Sequence, residues 1–364
     1  MTTAAMITRT AAGLLLRTGI QRSAPTTATA AIACLLCQQH RAFHISSGRL
    51  DSKNSSNAAA DAPKSIPGLP KAEVPPPDSP LANAPRSYGK KMDEFTPTPL
   101  SRPIGMNYPP EAGQNTGVDS RSIRQRRDDF VNYDKHLVKR EYLKSKMARP
   151  YFRDWRNLKF HKGKTFLSPP RLFKSDLSLY FPNLHGRTLS GKKAADTTPL
   201  LEGRASVVAL FSGMWAENQV KSFISPEKNP ALHEALEASD GKVQLVQINV
   251  EEDWMKLLLV RLFSGSLKKK VGKENLDKYF LVNKGISDEI RESIGLLNSK
   301  VGYTYLVDHE CRIRWAGSGL AEPGEPEGLV KGIGRIVEEM KQEGVGANFV
   351  RKPVLGKNTP TEKQ

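Results

Sequence analysis

The chain has 364 residues, enough for one or two domains of ordinary size, and carries 55 Lys/Arg against 38 Asp/Glu, a formal net charge of +17. The excess is local: residues 120–174 hold 17 Lys/Arg and 5 Asp/Glu, a net of +12, whereas residues 205–344 hold 18 and 21, a net of −3. This distribution excludes a uniformly basic, nucleic-acid-binding globule. Composition also argues against a membrane-spanning helix, since the most apolar run, residues 254–263, is too short and carries two charges.

Residues 1–50 have the composition of a mitochondrial transit peptide. They contain five arginines and no acid, and the first carboxylate of the chain is Asp51. Ala, Thr, Ser and Leu fill most of the remainder, unlike the charged start and single apolar core of a secretory signal. Residues 41–50 (RAFHISSGRL) also resemble the two-step processing site of fungal matrix proteins. We therefore expect matrix targeting, the alternative being a merely disordered basic N-terminus.

Cysteine usage follows from this targeting. Cys34 and Cys37 form a Cys-x-x-Cys pair inside the predicted transit peptide, so import would remove them. The remaining cysteine, Cys311, can form neither an internal disulfide nor a zinc site of several thiolates. The histidines after residue 150 are too far apart in sequence to be paired metal ligands: His161, His185, His233 and His309. We expect no metal and no cofactor.

Two segments without a core of their own come next. Residues 51–117 are rich in Pro, Ala, Ser, Asn and Gly with few, unpatterned apolar residues, which predicts a disordered linker. Residues 118–190 are predicted to be a basic, aromatic, helical arm. From about residue 120 to Ala148, apolar side chains recur at spacings of three or four, which indicates an amphipathic helix ending before Pro150.

An aromatic and basic stretch, residues 150–160 (PYFRDWRNLKF), follows that helix. Aromatic rings among arginines suit RNA bases, the interfacial zone of an anionic membrane, or an apolar protein surface. A run of charge can also be a solvated face. The residues alone leave these interpretations open. The predicted partner contacts, including one residue from the following domain, are Arg153, Trp155, Arg156, Lys159, Phe160 and Trp215.

An α/β pattern is predicted for residues 191–345, followed by a disordered tail at residues 346–364. Apolar runs of strand length at residues 207–211 and 243–250 alternate with helical segments, a hairpin is predicted over residues 303–315, and a helical stripe from Leu329 to Met340 closes the domain. With right-handed crossovers, this order predicts the fold class α/β: a thioredoxin-like sheet flanked by helices, with an insertion at about residues 265–300.

The redox site of a thioredoxin is missing from both places where this pattern puts it. The junction after the first strand, residues 211–217 (FSGMWAE), has no cysteine, and Ser212 has no identifiable base, so its predicted role is an N-cap. A thioredoxin has a proline followed by Thr before the hairpin, but residues 302–304 (GYT) have no proline before Thr304. Residues 163–165 (GKT) resemble the end of a phosphate-binding loop, but Leu158 replaces its earlier glycine. We predict no enzymatic activity.

Six short motifs occur in a defined order between about residue 100 and residue 345. They are residues 152–156 (FRDWR), 162–170 (KGKTFLSPP), 180–182 (YFP), 211–217 (FSGMWAE), 278–282 (KYFLV) and 314–319 (RWAGSG). Together they resemble the fungal mitochondrial ATP synthase assembly factor family, which chaperones the membrane-embedded subunit 6. The resemblance implies a peripheral protein on the matrix side of the mitochondrial inner membrane that binds newly made subunit 6 and promotes its association with the subunit c ring. It implies no catalytic residue.

The resulting hypothesis is that the arm, at about residues 120–182, binds the membrane or the client, while a redox-inactive thioredoxin-like domain holds the arm and supplies an apolar groove. No nucleic-acid partner is expected. Two alternatives from other classes stay open. A divergent thioredoxin- or peroxiredoxin-like oxidoreductase would use Cys311 and lose function on Cys311→Ser. A mitochondrial RNA- or ribosome-binding factor would use the basic arm and bind with a steep salt dependence.

Overall fold

The computed structural model describes residues 79–344, apart from residues 89, 90, 120, 192 and 193. The predicted transit peptide with its Cys-x-x-Cys pair, the first part of the predicted linker and the predicted tail lie outside the described residues. Within the described part of the chain, no helix is long and apolar enough to cross a membrane.

Helices and strands alternate in the second half of the described chain, whereas the first half is helical or irregular. The helices are α1 (Ile123–Val131), α2 (Tyr133–Met147), α3 (Arg153–Asn157), α4 (Thr198–Leu201), α5 (Gly213–Ile224), α6 (Pro230–Glu237), α7 (Trp254–Leu262), α8 (Ser264–Val271), α9 (Asp288–Ser293) and α10 (Glu325–Gln342). The strands are β1 (His185–Thr188), β2 (Ala195–Asp196), β3 (Ala205–Phe211), β4 (Val243–Val250), β5 (Tyr279–Val282), β6 (Tyr303–Val307) and β7 (Ile313–Ser318). Short 3-10 helices lie at His161–Gly163, Ser175–Leu177 and Lys273–Lys278.

The strands of the described residues form one seven-stranded sheet in the order β2-β1-β5-β4-β3-β6-β7. β3, β4 and β5 are parallel, whereas β6 runs antiparallel to β3 and β7 antiparallel to β6. A parallel β3–helix–β4 unit followed by an antiparallel hairpin and a closing helix is the thioredoxin-like arrangement, so the predicted fold class is confirmed. β3 is buried along its whole length, which explains its uninterrupted apolar run.

Two parts of the sheet differ from the sequence prediction. The sequence did not predict strands β5, β1 and β2, because runs of two to four residues have too little periodicity to be recognised. Strand β7 begins at Ile313, later than predicted, because Cys311 has a φ of 65° and closes the β6–β7 turn. The carboxylate of Asp308 stabilises this turn by accepting hydrogen bonds from the N–H groups of Glu310 (3.0 Å) and Arg312 (2.8 Å).

Helices α5, α6 and α10 cover one face of the sheet. Their inward side chains pack on alternate residues of β3 and on the outer hairpin. Phe223 of α5 lies edge-on to Trp315 of β7, with ring centroids 6.0 Å apart. Leu329 and Met340 of α10 are both buried, as the predicted stripe requires.

The opposite face of the sheet is covered mainly by irregular chain. Buried side chains from two earlier segments pack on it beside the six-residue helix α9: Leu81, Leu100, Ile104, Met106, Phe166, Phe181 and Leu184. The prediction of a disordered linker over residues 51–117 therefore does not hold for its described part. The apolar residues of this segment are too few to form a core alone. They are buried because they pack against an apolar face of the sheet that water would otherwise contact.

Main-chain hydrogen bonds attach this irregular chain to the sheet. The N–H of Met106 donates to the carbonyl of Tyr180 (2.7 Å), and the N–H of Tyr180 donates back to the carbonyl of Met106 (2.9 Å). Tyr180 in turn pairs with Arg312, next to β7. We call residues 79–106 and 164–184 the cover. The part of the predicted arm after Phe160 thus belongs to the body of the molecule.

Helices α1 and α2 form the exposed part of the arm. Asn132 separates them, because its extended backbone ends α1 and its Oδ1 accepts a hydrogen bond from the N–H of Lys135 (3.2 Å), which starts α2. The single predicted helix is therefore two helices. Within the described chain no residue of α1 is buried, so the predicted apolar stripe there does not pack on the body. After α2, Arg149 forms an ion pair with Asp288 of α9 (2.6 Å).

Candidate partner-binding site

The first turn of α5 occupies the position at which thioredoxins carry their redox cysteines. Ser212 is the N-cap residue, as predicted, but its side chain makes no capping hydrogen bond to the described residues. Gly213 follows with a φ of 77°. Met214 and Trp215 then project into solvent, with Trp215 52% exposed. The turn therefore presents an apolar thioether and an indole where a redox enzyme presents thiols.

Gly302, in the loop before β6, packs directly against α5. Its N–H donates to Oε1 of Gln219 (3.0 Å), and Nε2 of Gln219 donates to the carbonyl of Lys162 (2.8 Å). A Cβ at residue 302 would lie 2.4 Å from the carbonyl oxygen of Ala216, a distance that real Cβ atoms do not reach. The chain's own turn at Lys162 thus lies against α5, close to Gly302.

Cys311, the thiol of the oxidoreductase alternative, lies at the other end of β3. Strand β6 is antiparallel to β3, and Ser206 at the start of β3 pairs with Val307, next to the β6–β7 turn that holds Cys311. A strand of seven residues at about 3.3 Å per residue separates its two ends by roughly 20 Å. Cys311 is also fully buried. It cannot take the place of a thiol at the start of α5.

The loop at residues 298–302 also anchors α3, which carries three of the predicted contacts. Oδ2 of Asp154 accepts hydrogen bonds from the N–H (3.2 Å) and the hydroxyl (2.6 Å) of Ser299. Nζ of Lys300 lies 5.7 Å from the ring centre of Trp155, which is 51% exposed. One loop therefore touches α3 beside Trp155 and α5 beside Trp215, and it brings these two predicted contacts to neighbouring surfaces.

A small open pocket lies between α3 and the cover. Its lining contains four of the predicted contacts together with residues of the cover: Pro85, Arg86, Lys91, Met92, Arg153, Arg156, Asn157, Lys159 and Phe160. The described lining includes five cations and no carboxylate. A concave surface with charge of one sign attracts the opposite charge, so the pocket suits a carboxylate or a phosphate group.

Two cations of the pocket, Arg86 and Lys91, have acidic partners in the structure. Arg86 is nearly buried; its guanidinium pairs with Glu292 (3.1 Å), and its NH1 donates to the carbonyl of Ala82 (2.7 Å). Asn157 of α3 donates from Nδ2 to the carbonyl of Arg86 (3.0 Å), which holds the pocket together. Lys91 pairs with an exposed acid of its own segment. Arg86 therefore positions the pocket more than it offers charge to a ligand.

Arg156 and Lys159 are the exposed cations of the pocket. Nζ of Lys159 lies over the ring of Phe160, 4.6 Å from its centre. Phe160 is itself buried and lies edge-on to Phe95 of the cover, with centroids 6.3 Å apart. Its ring is thus an apolar wall beneath the charges. Sequence reasoning could not see this burial, because Phe95 lies in the segment predicted to be disordered.

Residues 163–165, the apparent phosphate-binding motif, are structural. Nζ of Lys164 donates to the carboxylate of Glu325 (2.8 Å) and to the carbonyls of Ser318 (3.1 Å) and Leu320 (2.8 Å). An ammonium group has three N–H donors, and all three are used. None is left for a phosphate. Sequence reasoning missed this arrangement because Lys164 and Glu325 are 161 positions apart.

Two ionisable groups near these surfaces have shifted pKa values. Burial raises the pKa of Tyr303, whose hydroxyl accepts a hydrogen bond from the N–H of Asn298 (3.1 Å), so the phenol stays neutral. Burial also acts to raise the pKa of Glu217 on α5, but hydrogen bonds from Lys270 and Lys221 outweigh it and hold the pKa below its ordinary value. Glu217 therefore stays ionised two residues after Trp215.

The described residues contain no group of three or more His, Cys, Asp or Glu side chains that could hold a metal ion. Histidines of the body have structural partners instead. Nδ1 of His185 lies 2.8 Å from the carboxylate of Asp196, and Nε2 of His233 lies 2.8 Å from the carbonyl oxygen of Ile224. The chemistry that this arrangement offers is binding through charge and apolar contact.

Comparison with known proteins gives a family match over most of the chain. Residues 84–336 match the family model described as ATP10 protein. The protein of Eremothecium gossypii named mitochondrial ATPase complex subunit ATP10 is 31% identical over 242 residues, 66% of this chain and 85% of that protein. Its namesake in Saccharomyces cerevisiae is 29% identical over 252 residues, 67% of this chain and 88% of that protein.

Among solved structures, a secreted thiol-disulfide isomerase from Corynebacterium glutamicum aligns with 12% identity. The alignment covers 48% of this chain and 99% of the isomerase, with a TM-score of 0.34. This overlap is too low to carry an argument. The fold assignment rests on the order and direction of the strands.

Proposed function

The chain belongs to the ATP10 family, and from that membership we propose that it assists the assembly of mitochondrial ATP synthase and is not an enzyme. The names of its relatives associate them with the mitochondrial ATPase complex. A role in binding is supported by the first turn of α5, which lacks cysteines and exposes Met214 and Trp215. The buried position of Cys311 supports it as well.

The proposed client is newly made subunit 6, which this protein would hold until it joins the subunit c ring. The observation that carries the proposal is the exposed Trp155 on the same short helix as the cations of the pocket, Arg153 and Arg156. A membrane subunit that awaits assembly exposes apolar surface, and a partner with aromatic anchors and a polar rim can cover it.

The proposed location is the matrix side of the mitochondrial inner membrane, as a peripheral protein. The acid-free, arginine-containing composition of residues 1–50 supports import into the matrix. Exposed aromatic and basic side chains of the arm support contact with headgroups.

Binding to RNA or to a ribosome is the second candidate. It is favoured by the exposed rings of Tyr133 and Tyr142 among the lysines and arginines of α2. Stacking on bases needs solvent-exposed rings, and binding of this kind would weaken steeply as salt is raised.

The experiment that tests the client places a photo-crosslinking amino acid at Trp155 or Trp215 and labels the products of organellar translation. Labelled subunit 6 is the expected adduct at both positions. Reversal of two pocket charges, Arg156→Glu with Lys159→Glu, should lower its yield about tenfold, which corresponds to roughly 1.4 kcal/mol of binding.

The matched control reverses two exposed lysines elsewhere on the body, Lys228→Glu with Lys331→Glu. It should leave the yield unchanged. Adducts consisting of ribosomal proteins, or a yield that the pocket variant does not alter, would refute the proposed client site.

A further inference from the structure

Helices α7 and α8 are joined through Phe263 alone, and this helix pair, called the hairpin below, turns an apolar stripe away from the body. Large side chains spaced three or four positions apart are 53–75% exposed along α7 and into the turn after it: Met255, Leu258, Leu259, Leu262 and Phe263. A surface helix of a globular domain ordinarily buries such a stripe and exposes its polar face. Here the apolar face is presented outwards.

The stripe does not arise from an undocked helix. Leu257 of α7 is buried, and Leu267 and Val271 of α8 pack on the same core cluster as α5. Lys270 of α8 also donates to the carboxylate of Glu217 on α5 (2.6 Å). The inner side of the hairpin packs on the body, so the exposed stripe on its outer side has a fixed orientation.

The hairpin is basic in a domain that is otherwise slightly acidic. Residues 254–273 contain six Lys/Arg and no Asp/Glu, whereas residues 205–344 as a whole have a net charge of −3. Lys256, beside the stripe, is exposed, and so are Lys269 and Lys273 near the end of α8. Lys270 is engaged with Glu217, and Lys256 lies 3.5 Å from the carboxylate of Glu251, so Lys269 and Lys273 are the exposed cations best placed to meet an anionic partner.

The length and charge of the hairpin indicate which partner this is. The nine residues of α7 extend about 14 Å at 1.5 Å per residue, less than half of a hydrocarbon core of about 30 Å, so α7 can lie in a membrane surface but not cross it. A second copy of the chain would bring like charges together, which opposes association. Apolar side chains interspersed with lysines are the composition of a helix that lies at an anionic lipid interface, and the nearest acids, residues 251–253 and 274, lie outside the two helices.

We propose that the α7–α8 hairpin docks this protein on an anionic bilayer, with its apolar stripe among the upper acyl chains and its lysines on the phosphates of the headgroups. Because Lys270 binds Glu217, docking also holds the first turn of α5, with Trp215, close to the lipid surface. The hairpin is separate from the pocket at α3. The protein could therefore dock on the bilayer and bind a client in the pocket at the same time.

The test is flotation of the full chain with vesicles of phosphatidylcholine, alone or mixed with phosphatidylglycerol. The protein should float at least about tenfold more with the mixed vesicles, since each basic residue near an anionic surface adds attraction. The triple variant Leu258→Gln, Leu262→Gln and Phe263→Gln should lose about tenfold or more of this binding, because apolar burial drives insertion. All three side chains are exposed, so the thermal midpoint should stay unchanged.

The matched control is Leu177→Gln, an exposed leucine of the cover that lies outside the hairpin. It should float like the unaltered protein. Each measurement is repeated with Arg156→Glu and Lys159→Glu present, so that contact of the arm with lipid does not hide the effect of the hairpin.

Failure of the unaltered chain to float, or equal flotation of the triple variant in both backgrounds, would overturn the proposal. A loss of self-association by the triple variant in gel filtration would also overturn it and assign the stripe to a second copy. Flotation does not involve subunit 6, so a negative crosslinking result and a negative flotation result are independent.

Discussion

Lys164 and Glu325 form an ion pair of 2.8 Å in which the side chains are only 2% and 7% exposed. The carboxylate of Glu325 also accepts hydrogen bonds from the N–H groups of Ser168 and Glu322, both at 2.8 Å. The pair joins the cover to the first turn of α10. It therefore ties one of the segments laid over the sheet to the last helix of the fold.

Removal of one partner of this pair should be strongly destabilising. Lys164→Met leaves the Glu325 carboxylate buried without its cation, so the free energy of unfolding should fall by about 3–5 kcal/mol. The double variant Lys164→Met with Glu325→Gln removes both charges and should lose less than the single variant. Guanidinium chloride unfolding measures both. A loss below about 1 kcal/mol in the single variant would show that the pair contributes little.

Gly302→Ala should destabilise the fold through a clash with backbone. The new Cβ would lie 2.4 Å from the carbonyl oxygen of Ala216, which belongs to α5 and cannot rotate away. We expect a loss of about 1–3 kcal/mol. The control is Gly334→Ala, in the middle of α10, where a Cβ meets no described atom within 4 Å. That variant should gain about 0.5–1 kcal/mol, since alanine favours a helix over glycine. Equal thermal midpoints for the two variants would contradict this reading.

Cys311→Ala should leave assembly of ATP synthase intact. The thiol is fully buried in the β6–β7 turn, so its loss should cost about 1 kcal/mol of stability and nothing in function. Assembled enzyme is measured on native gels after replacement of the chromosomal copy. Loss of assembly by a variant that still folds and accumulates would instead support the oxidoreductase alternative.

The ion pair of Arg149 and Asp288 should make the free energy of unfolding depend on pH in the acidic range. Burial acts to raise the pKa of Asp288, but the hydrogen bonds and charge of Arg149 outweigh it and hold the pKa below 3.8. A carboxyl with a lowered folded-state pKa contributes its full stability above its unfolded pKa and loses it as pH falls through the folded-state pKa. The effect should therefore be constant near neutral pH, begin to decline below about pH 4 and be lost as pH falls through the lowered pKa of Asp288.

The variant Arg149→Met isolates this effect. At neutral pH it should lower the free energy of unfolding by about 1–2 kcal/mol, because a charge-assisted hydrogen bond is lost. The difference from the unaltered protein should shrink as pH falls, since the other carboxylates titrate equally in both proteins. Urea unfolding over a pH series measures the difference. A difference that stays constant in acid would rule out the pair as its cause.

The strands that were predictable from the sequence are those whose burial leaves a long apolar run. Strand β4 has the predicted limits, Val243 to Val250, and the apolar run of β3 lies within the observed strand. Strand β5 was not predictable, because Tyr279–Val282 is too short to show a period. The cover was not predictable either, because its few apolar residues show no local pattern and are buried only by contact with the folded sheet.

The candidate site was predictable only in part, for a related reason. Composition could identify Trp155 and Arg156 as aromatic and basic residues suited to a surface, and the structure exposes both. The same composition could not separate Phe160 from them, although Phe160 is a wall of the pocket. The cations contributed by Arg86 and Lys91 lie in the segment predicted to be disordered, so no local pattern could assign them to the pocket.

Tyr180 pairs with Met106 on one side and with Arg312 on the other. Closure of this ladder brings together residues separated by roughly 200 positions, which makes it a slow and late step of folding. Until the β6–β7 hairpin, with Arg312, has been synthesised, the apolar face beneath the cover is exposed to solvent or to other proteins. A nascent chain in that condition is prone to aggregate. We therefore expect the nascent chain to depend on general chaperones until this hairpin has been synthesised.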